Sequence, residues 1–204
     1  MKTKKVSALV TGYEAFLGES MNPSERLVRD LAESGFDTLI LPVEYEGAFS
    51  RLELALVDND YDLLIMLGQA GGRATVSLER VALNLKDSSH ADASGLLCLE
   101  QKIREGADTA LMTDLPLRAI CEELKEKGHK VNVSTSAGAY VCNATYFKAM
   151  EWMRQQGRKT KVLFVHVPYL PEQTTGKPAG TPSMSFREMK AAVADLLDIL
   201  ERVV

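Results

Sequence analysis

The apolar run at residues 63–67 constrains the fold of this 204-residue chain more than any other feature. It reads "LLIML" and lies between Asp62 and Gly68. A strand with one face in water would alternate apolar and polar residues, so a continuous run is typical of a strand covered on both faces. The sequence therefore predicts an internal strand of a sheet with helices packed on either side.

Other apolar runs alternate with amphipathic segments along the chain. We predict strands over residues 6–10, 38–43, 62–68, 130–135 and 161–170, and a further strand or hairpin within 73–85. We predict helices that begin at Pro23 after the N-cap Asn22, and over 48–57, 117–128, 138–156 and 186–203. This alternation predicts an α/β sandwich around a mostly parallel sheet, in a single domain over residues 1–204.

Residues 86–108 and 171–183 fit neither pattern and are predicted to be loops. The first is polar and long, and loops of this kind commonly serve as lids, interface arms or mobile segments. Cys98 lies in this loop, where we expect it at an interface.

Composition and charge exclude several classes of protein. The net charge is −4 and there is no basic stripe, so we expect no nucleic-acid partner. No segment approaches the ~20 apolar residues of a membrane span, and the apolar run that follows Lys2, Lys4 and Lys5 is too short for a signal peptide. Three cysteines without paired spacing fit a reducing compartment, so cytoplasm is the expected location.

The segment at residues 134–147, "STSAGAYVCNATYF", contains the first candidate for chemistry, Cys142. Small residues up to Gly138 would let a substrate approach the backbone closely. A thiol near a helix N-terminus experiences positive partial charge, which lowers its pKa and favours the thiolate. The alternative is a cysteine that is simply buried, as free cysteines usually are. The local sequence leaves both interpretations open.

His166 follows the apolar run "VLFV" near the end of a predicted strand. Active sites of open α/β sheets gather at the carboxyl ends of strands, where an imidazole would be placed to deprotonate a thiol. The alternative is a structural histidine with its hydrogen bonds satisfied. His90 and His129 lie in polar segments and are expected to be solvated.

Glu79 stands in the otherwise apolar segment "TVSLERVALN". An acid in such a place can orient a histidine as the third member of a catalytic triad. The alternative is a surface ion pair between Glu79 and Arg80. The nearby Gly71 and Gly72 belong to no phosphate-binding motif, and no histidine or cysteine spacing is that of a metal site.

Four segments together resemble pyroglutamyl peptidase I (pyrrolidone-carboxylate peptidase), a family of cysteine peptidases. They are "TGYEAFLGESMNPS", "GQAGGRATVSLERVALN", "VNVSTSAGAYVCN" and "FVHVPYLPEQ", and their order and spacing agree with the family. The resemblance implies a three-layer α/β/α sandwich around a mostly parallel, twisted mixed sheet. It also implies a homotetramer or dimer, and a hydrolase that needs no cofactor and no metal.

The resemblance implies a catalytic role for each candidate. Cys142 is the expected nucleophile, His166 the general base and later acid, and Glu79 the acid that orients His166. The expected substrates are N-terminally pyroglutamylated peptides, cleaved through a thioester acyl-enzyme. A flat, neutral lactam suits an apolar slot, because a charged amino group would be costly to desolvate there.

The family pattern also predicts the substrate-binding residues. Phe16 and Tyr140 occupy two positions at which the family stacks the lactam between aromatic rings. Tyr13 and Val141 lie beside them, and Gln69 completes the predicted set. Core packing is the alternative for Phe16 and Tyr140.

The chain departs from the family pattern at several positions. Tyr13 and Tyr140 stand where phenylalanine is usual, and a buried hydroxyl needs a hydrogen-bond partner. Ala15 replaces a proline, Ser89 an arginine and His90 an apolar pocket residue. Beside a pyroglutamyl peptidase, two alternatives therefore remain: a thiol amidase of the same fold with another substrate, and a catalytically silent binding homologue.

Overall fold

A six-stranded sheet forms the centre of the computed structural model, which describes residues 6–204. Its strands are β1 (Ala8–Tyr13), β2 (Asp37–Leu41), β3 (Leu63–Gln69), β4 (Val76–Glu79), β7 (Val131–Ser134) and β8 (Lys161–Val167). Their order is β2-β1-β3-β8-β4-β7. The lysines at positions 2, 4 and 5 lie outside the described residues.

The central strand β3 confirms the prediction made from the apolar run. All seven of its residues are buried, and it pairs in parallel with both β1 and β8. Strand β4 pairs antiparallel with β8 and parallel with β7, so four parallel strands are followed by two that run the other way. The predicted mostly parallel, mixed sheet is confirmed.

Among the described residues, five α-helices cover the two faces of the sheet. They are α1 (Pro23–Glu33), α2 (Gly47–Val57), α3 (Leu117–Glu126), α4 (Val141–Gln155) and α5 (Phe186–Val203). Apolar residues of α1, α3 and α5 pack with Leu63, Ile65 and Leu67 in one core. Those of α2 and α4 pack with Leu64 and Met66 in the other. Successive β3 side chains thus enter opposite cores, and the three layers follow from that alternation.

The helix starts follow local capping chemistry. Asn22 is the N-cap of α1, where its side-chain oxygen accepts the backbone N–H of Ser24 at 3.0 Å, and Pro23 takes the first helical position. Ser185 and Glu188 form a capping box at the start of α5. These are the starts that the sequence predicts.

The strand predicted within residues 73–85 is confirmed as β4, whereas its alternative, a hairpin, is wrong, because β4 pairs with β7 and β8. After β4 the chain leaves the main sheet, and β5 (Val81–Leu83) pairs antiparallel with β6 (Ala110–Met112) in a separate two-stranded sheet. Strand β6 has only three residues, and none of them is buried. Its sequence therefore shows no apolar pattern that would predict a strand.

The segment at residues 86–108 has no helix or strand, as predicted, but the fold holds it firmly. Lys86 and Gln101 exchange two backbone hydrogen bonds. The buried carboxylate of Asp92 accepts the backbone N–H groups of Tyr45 and Leu96. Cys98 is 0% exposed and packs in the core beside α2 and α4, which corrects the expectation of an interface cysteine.

Within residues 6–204, no helix has both the length and the apolar character that crossing a bilayer requires.

Candidate active site

Glu79 and His166 meet on one face of the sheet. The Nδ1–H group of His166 donates to Oε1 of Glu79 at 2.8 Å, and both side chains are buried. Strand pairing explains the contact: Glu79 lies opposite Phe164 on the antiparallel neighbour, so its side chain shares a face with His166 two residues along. Because Nδ1 is engaged, Nε2 is the nitrogen of His166 that remains for chemistry.

The protonation states of the pair follow from burial and charge. Burial alone would raise the pKa of Glu79, but the hydrogen bond and charge of His166, with Ser134 and Arg73, hold the pKa below its usual value. Burial lowers the pKa of His166, and the opposing effect of Glu79 does not cancel that shift. The resting pair is therefore an ionised carboxylate beside a neutral imidazole.

Cys142 lies in the first turn of α4, closer to the helix N-terminus than the sequence predicts. The helix begins at Val141, three residues after the predicted start, because Gly138 has a positive φ of 84° and Tyr140 is extended. The Cys142 sulfur lies only 3.0 Å from the position that a Cβ atom on Gly68 would take. Since Gly68 pairs with His166 across β3 and β8, the sulfur sits over that strand pair.

The predicted lowering of the thiol pKa is wrong for the protein without substrate. Burial, and then the negative charge of Glu79, raise the pKa of Cys142 to about 12. The hydrogen bond to its own backbone N–H and the charge of Arg73 act in the other direction but are weaker. Desolvation thus outweighs the helix N-terminus, and the resting group is a thiol.

The predicted aromatic pair lies at the entrance to α4. The rings of Phe16 and Tyr140 are half-buried, with centroids 6.3 Å apart and planes tilted by 31°. The Tyr140 hydroxyl donates to the backbone carbonyl of Ala91 at 2.9 Å, so the extra oxygen has a partner. The two rings therefore lie side by side, and their role in binding the lactam stays a prediction.

Tyr13 and Val141 are core residues next to this pair. Val141 is 0% exposed, and Tyr13 is 2% exposed with its ring 6.3 Å from that of Phe164. Burial, and then the nearby Cys142, raise the pKa of Tyr13 well above its usual value. Both side chains are buried in the core, and their role in substrate binding stays a prediction.

Gln69 ends β3 immediately after Gly68, and its side chain points to the opposite face of the sheet. There its side-chain oxygen accepts the amide of Gln173 at 2.8 Å. Gln173 lies in a short 3₁₀ helix, Pro171–Thr174, within the predicted loop. Only the backbone of Gln69 is left at the site's edge of the sheet.

Arg73 was not predicted as part of the site. Its guanidinium donates to Oε1 of Glu79 at 2.5 Å and to the carbonyl of Ser136 at 3.4 Å. The carboxylate of Glu79 thus pairs with Arg73 and His166, and the alternative of a surface ion pair with Arg80 is wrong. A buried acid needs a cation, and the arginine six residues earlier was the available signal.

The remaining candidates lie away from the Glu79–His166 pair. Ser89 and His90 are exposed and contact each other, with 3.1 Å between the Ser89 oxygen and Nδ1 of His90. His129 is half-buried against Asp195 at 2.6 Å, so the expectation that it is solvated is wrong. Within residues 6–204, no cluster of three or more histidine, cysteine or acidic residues could hold a metal ion.

Comparison with known proteins identifies the family. The family model of pyroglutamyl peptidase matches residues 5–200. The chain belongs to the pyroglutamyl peptidase family. The pyrrolidone-carboxylate peptidase of Thermococcus onnurineus is 38% identical over 191 residues, which are 92% of this chain and 94% of the relative. That of Fusobacterium nucleatum is 32% identical over 196 residues, 94% of this chain and 91% of the relative.

Solved structures of pyroglutamyl peptidases agree with the fold. The pyrrolidone carboxyl peptidase of Fervidobacterium islandicum superposes with a TM-score of 0.94 at 38% identity, over 98% of this chain and all of the other. Pyroglutamyl peptidase I of Bacillus amyloliquefaciens gives 0.90 at 32% identity, over 97% and 96%. The predicted family and three-layer α/β fold are confirmed.

Proposed function

We propose that this pyroglutamyl peptidase family member hydrolyses the amide bond after an N-terminal pyroglutamate through Cys142, His166 and Glu79. One observation carries the proposal. The buried Glu79–His166 hydrogen bond leaves Nε2 free, and the Cys142 sulfur lies over Gly68, the strand partner of His166. Nucleophile, base and orienting acid thereby lie on one face of the sheet.

The first half of the reaction forms an acyl-enzyme. The thiol proton of Cys142 moves to Nε2 of His166 as the sulfur attacks the carbonyl carbon of pyroglutamate. The carbon–nitrogen bond to the next residue then breaks, and His166 returns that proton to the leaving amine. The product left on the enzyme is a thioester.

Water completes the cycle. His166 takes a proton from the water, whose oxygen attacks the thioester carbon. The carbon–sulfur bond breaks, free pyroglutamate leaves and the proton returns to the Cys142 sulfur. No step needs a metal or a cofactor.

The resting protonation states of Cys142 and His166 indicate that substrate binding triggers the proton transfer between them. With the thiol pKa raised to about 12 and the imidazole neutral, the free protein keeps Cys142 protonated. The thiolate–imidazolium pair therefore forms as the substrate carbonyl arrives. The first backbone N–H groups of α4, which have no partner within the helix, stabilise the oxyanion that develops.

Specificity follows from the aromatic pair. The lactam stacks between Phe16 and Tyr140, with Tyr13 and Val141 behind and the backbone of Gln69 at the edge. A free N-terminal ammonium would lose its hydration in this slot without a compensating partner. The slot therefore favours blocked, pyroglutamylated N-termini.

The proposal also covers the domain organisation, the oligomeric state, the location and the partners of the protein. We propose one catalytic domain over residues 1–204, which assembles as a homotetramer or dimer and acts on peptides in the cytoplasm without a nucleic-acid or membrane partner. Three free cysteines support a reducing compartment.

A fluorogenic assay tests the proposed function. The wild type should release an amine dye from its pyroglutamyl amide, and Cys142→Ser should remove at least about 99% of that rate. Cys121→Ser is the matched control, because Cys121 is a free core cysteine on α3 and should leave the catalytic rate unchanged.

Two other outcomes would contradict the proposal. If the wild type releases no dye but iodoacetamide labels Cys142, the protein is a thiol amidase with another substrate. The exposed Ser89 and His90 would then contribute to the altered substrate preference. If Cys142 is also unreactive, it is a silent binding homologue.

A further inference from the structure

Arg73 bridges two parts of the site that lie apart in sequence. Its guanidinium contacts Oε1 of Glu79 at 2.5 Å, the same oxygen that accepts from His166. Its other terminal nitrogen contacts the carbonyl of Ser136 at 3.4 Å, in the segment between β7 and the start of α4. One side chain therefore spans the acid and the approach to the nucleophile Cys142.

The charge of Arg73 matters because Glu79 is 0% exposed. A buried carboxylate without a cation is strongly destabilised, and neutral His166 supplies none in the resting state. Among residues 6–204, Arg73 is the cation in direct contact with this carboxylate. The other titratable groups that face it are His166 on β8, and Cys142 and Tyr146 on α4, with Arg80 adjacent in sequence.

We propose that Arg73 is a positioning residue for the reaction proposed above. It holds the carboxylate of Glu79 in the orientation that aligns His166, and it anchors that carboxylate to the segment leading into Cys142. The inference rests on the proposed function, since it assigns a role within the same site.

The placement of Arg73 predicts which kinetic constant it affects. Its contacts are Glu79 and Ser136, whereas the expected lactam slot lies between Phe16 and Tyr140. Loss of Arg73 should therefore lower kcat and leave KM nearly unchanged. It should also move the acid limb of the pH profile to higher pH, because Glu79 and His166 would then both be protonated more readily.

Two substitutions separate charge from geometry. Arg73→Met removes the charge and should lower kcat at least about tenfold, with KM within about twofold of the wild type. Arg73→Lys keeps the charge without the planar fork, so it should restore the acid limb and only part of kcat.

The control is Arg154→Met. Arg154 contacts Asp108 at the same distance of 2.5 Å, but the two side chains are 70% and 58% exposed, against 30% and 0% for Arg73 and Glu79. An exposed pair contributes little, so this variant should retain the wild-type kcat and pH profile.

A second readout does not depend on turnover. The rate at which iodoacetamide alkylates Cys142 should fall in Arg73→Met at every pH between about 6 and 9, because the thiolate loses a nearby cation. If the wild type cleaves no pyroglutamyl substrate, the proposed function fails, and this measurement still decides the role of Arg73.

Two results would overturn the inference. One is an Arg73→Met variant with the wild-type kcat, acid limb and alkylation rate. The other is an equal loss of kcat in Arg73→Met and Arg73→Lys, accompanied by a raised KM and by unfolding at lower urea concentration. That result would show that Arg73 has a purely structural role.

Discussion

Gly68 illustrates how a single residue shapes the site. A Cβ atom at this position would lie 2.8 Å from the Phe164 ring and 3.0 Å from the Cys142 sulfur. Such separations are shorter than van der Waals contact, so only glycine leaves room for both groups. The sulfur therefore reaches the β3–β8 pair because a side chain is missing there.

Gly68→Ala should lower both activity and stability. The added methyl group would displace the Cys142 sulfur and lower kcat at least about tenfold, at a stability cost of about 1–3 kcal/mol from overpacking. Steady-state kinetics and urea unfolding measure the two effects. Gly128→Ala is the control, because its φ of 89° makes alanine strained far from the site, and it should cost stability without lowering kcat. Wild-type kcat in Gly68→Ala would contradict the prediction.

The buried acids and His166 predict how stability depends on pH. The pKa values of Glu79, Asp92 and His166 are all lower in the folded protein, so the unfolded chain binds more protons as the pH falls. The stability they contribute is present above the unfolded values of about 6.5 for histidine and about 4 for the acids, and is lost below them. The free energy of unfolding should therefore decline below about pH 6.5 and more steeply below about pH 4.5.

Urea unfolding at pH 7.5, 5.5 and 4 measures this decline. Glu79→Gln should flatten its most acidic part, since the amide does not titrate. A free energy of unfolding that stays constant from pH 7.5 to 4 would contradict the assignment.

At the scale of elements, the start of α4 is tied to the long segment at residues 86–108. Tyr140, the residue before the helix, donates its hydroxyl to Ala91, and the backbone N–H of Asp87 donates to Ala139. These contacts hold one end of the segment against the expected lactam slot.

Tyr140→Phe should loosen this connection. The lost hydrogen bond should lower the free energy of unfolding by about 0.5–1.5 kcal/mol and speed amide hydrogen exchange in residues 86–92. Tyr45→Phe is the matched control, because the Tyr45 hydroxyl is buried without a hydrogen-bond partner among the described residues, and its ring lies 5.5 Å from that of Tyr140. That variant should be at least as stable as the wild type. Equal destabilisation of both variants would assign the effect to the rings.

Element boundaries were predictable where local chemistry sets them. The bounds of α5 agree with the prediction because a capping box marks its start. The start of α4 was predicted three residues too early, since the turn at Gly138 depends on how residues 135–140 cross to the sheet. The pairing of β5 with β6 joins residues separated by the long segment, so no local pattern indicates it.

At the scale of the whole molecule, exposed apolar side chains support the expected oligomer. Leu96, Leu97 and Leu99 flank the buried Cys98 and are 41%, 47% and 57% exposed. Light scattering should report the mass of a dimer or a tetramer. The double variant Leu97→Asp with Leu99→Asp should shift that mass toward one chain, because carboxylates are costly to bury. An unchanged mass would show that this stretch lies outside the interface.

By itself, the sequence determined the six strands of the main sheet, the five α-helices and the family, because apolar periodicity, capping residues and the four motif segments are local properties. The resemblance implied that Glu79 pairs with His166, but only the tertiary structure showed the geometry of that pair and the contact with Arg73, because they depend on the antiparallel register of β4 and β8 and on a loop contact. It also decided the state of the Cys142 thiol, whose pKa rises because burial outweighs the helix N-terminus. The burial of this sulfur depends on atoms from many segments of the chain, so no single stretch of sequence determines it.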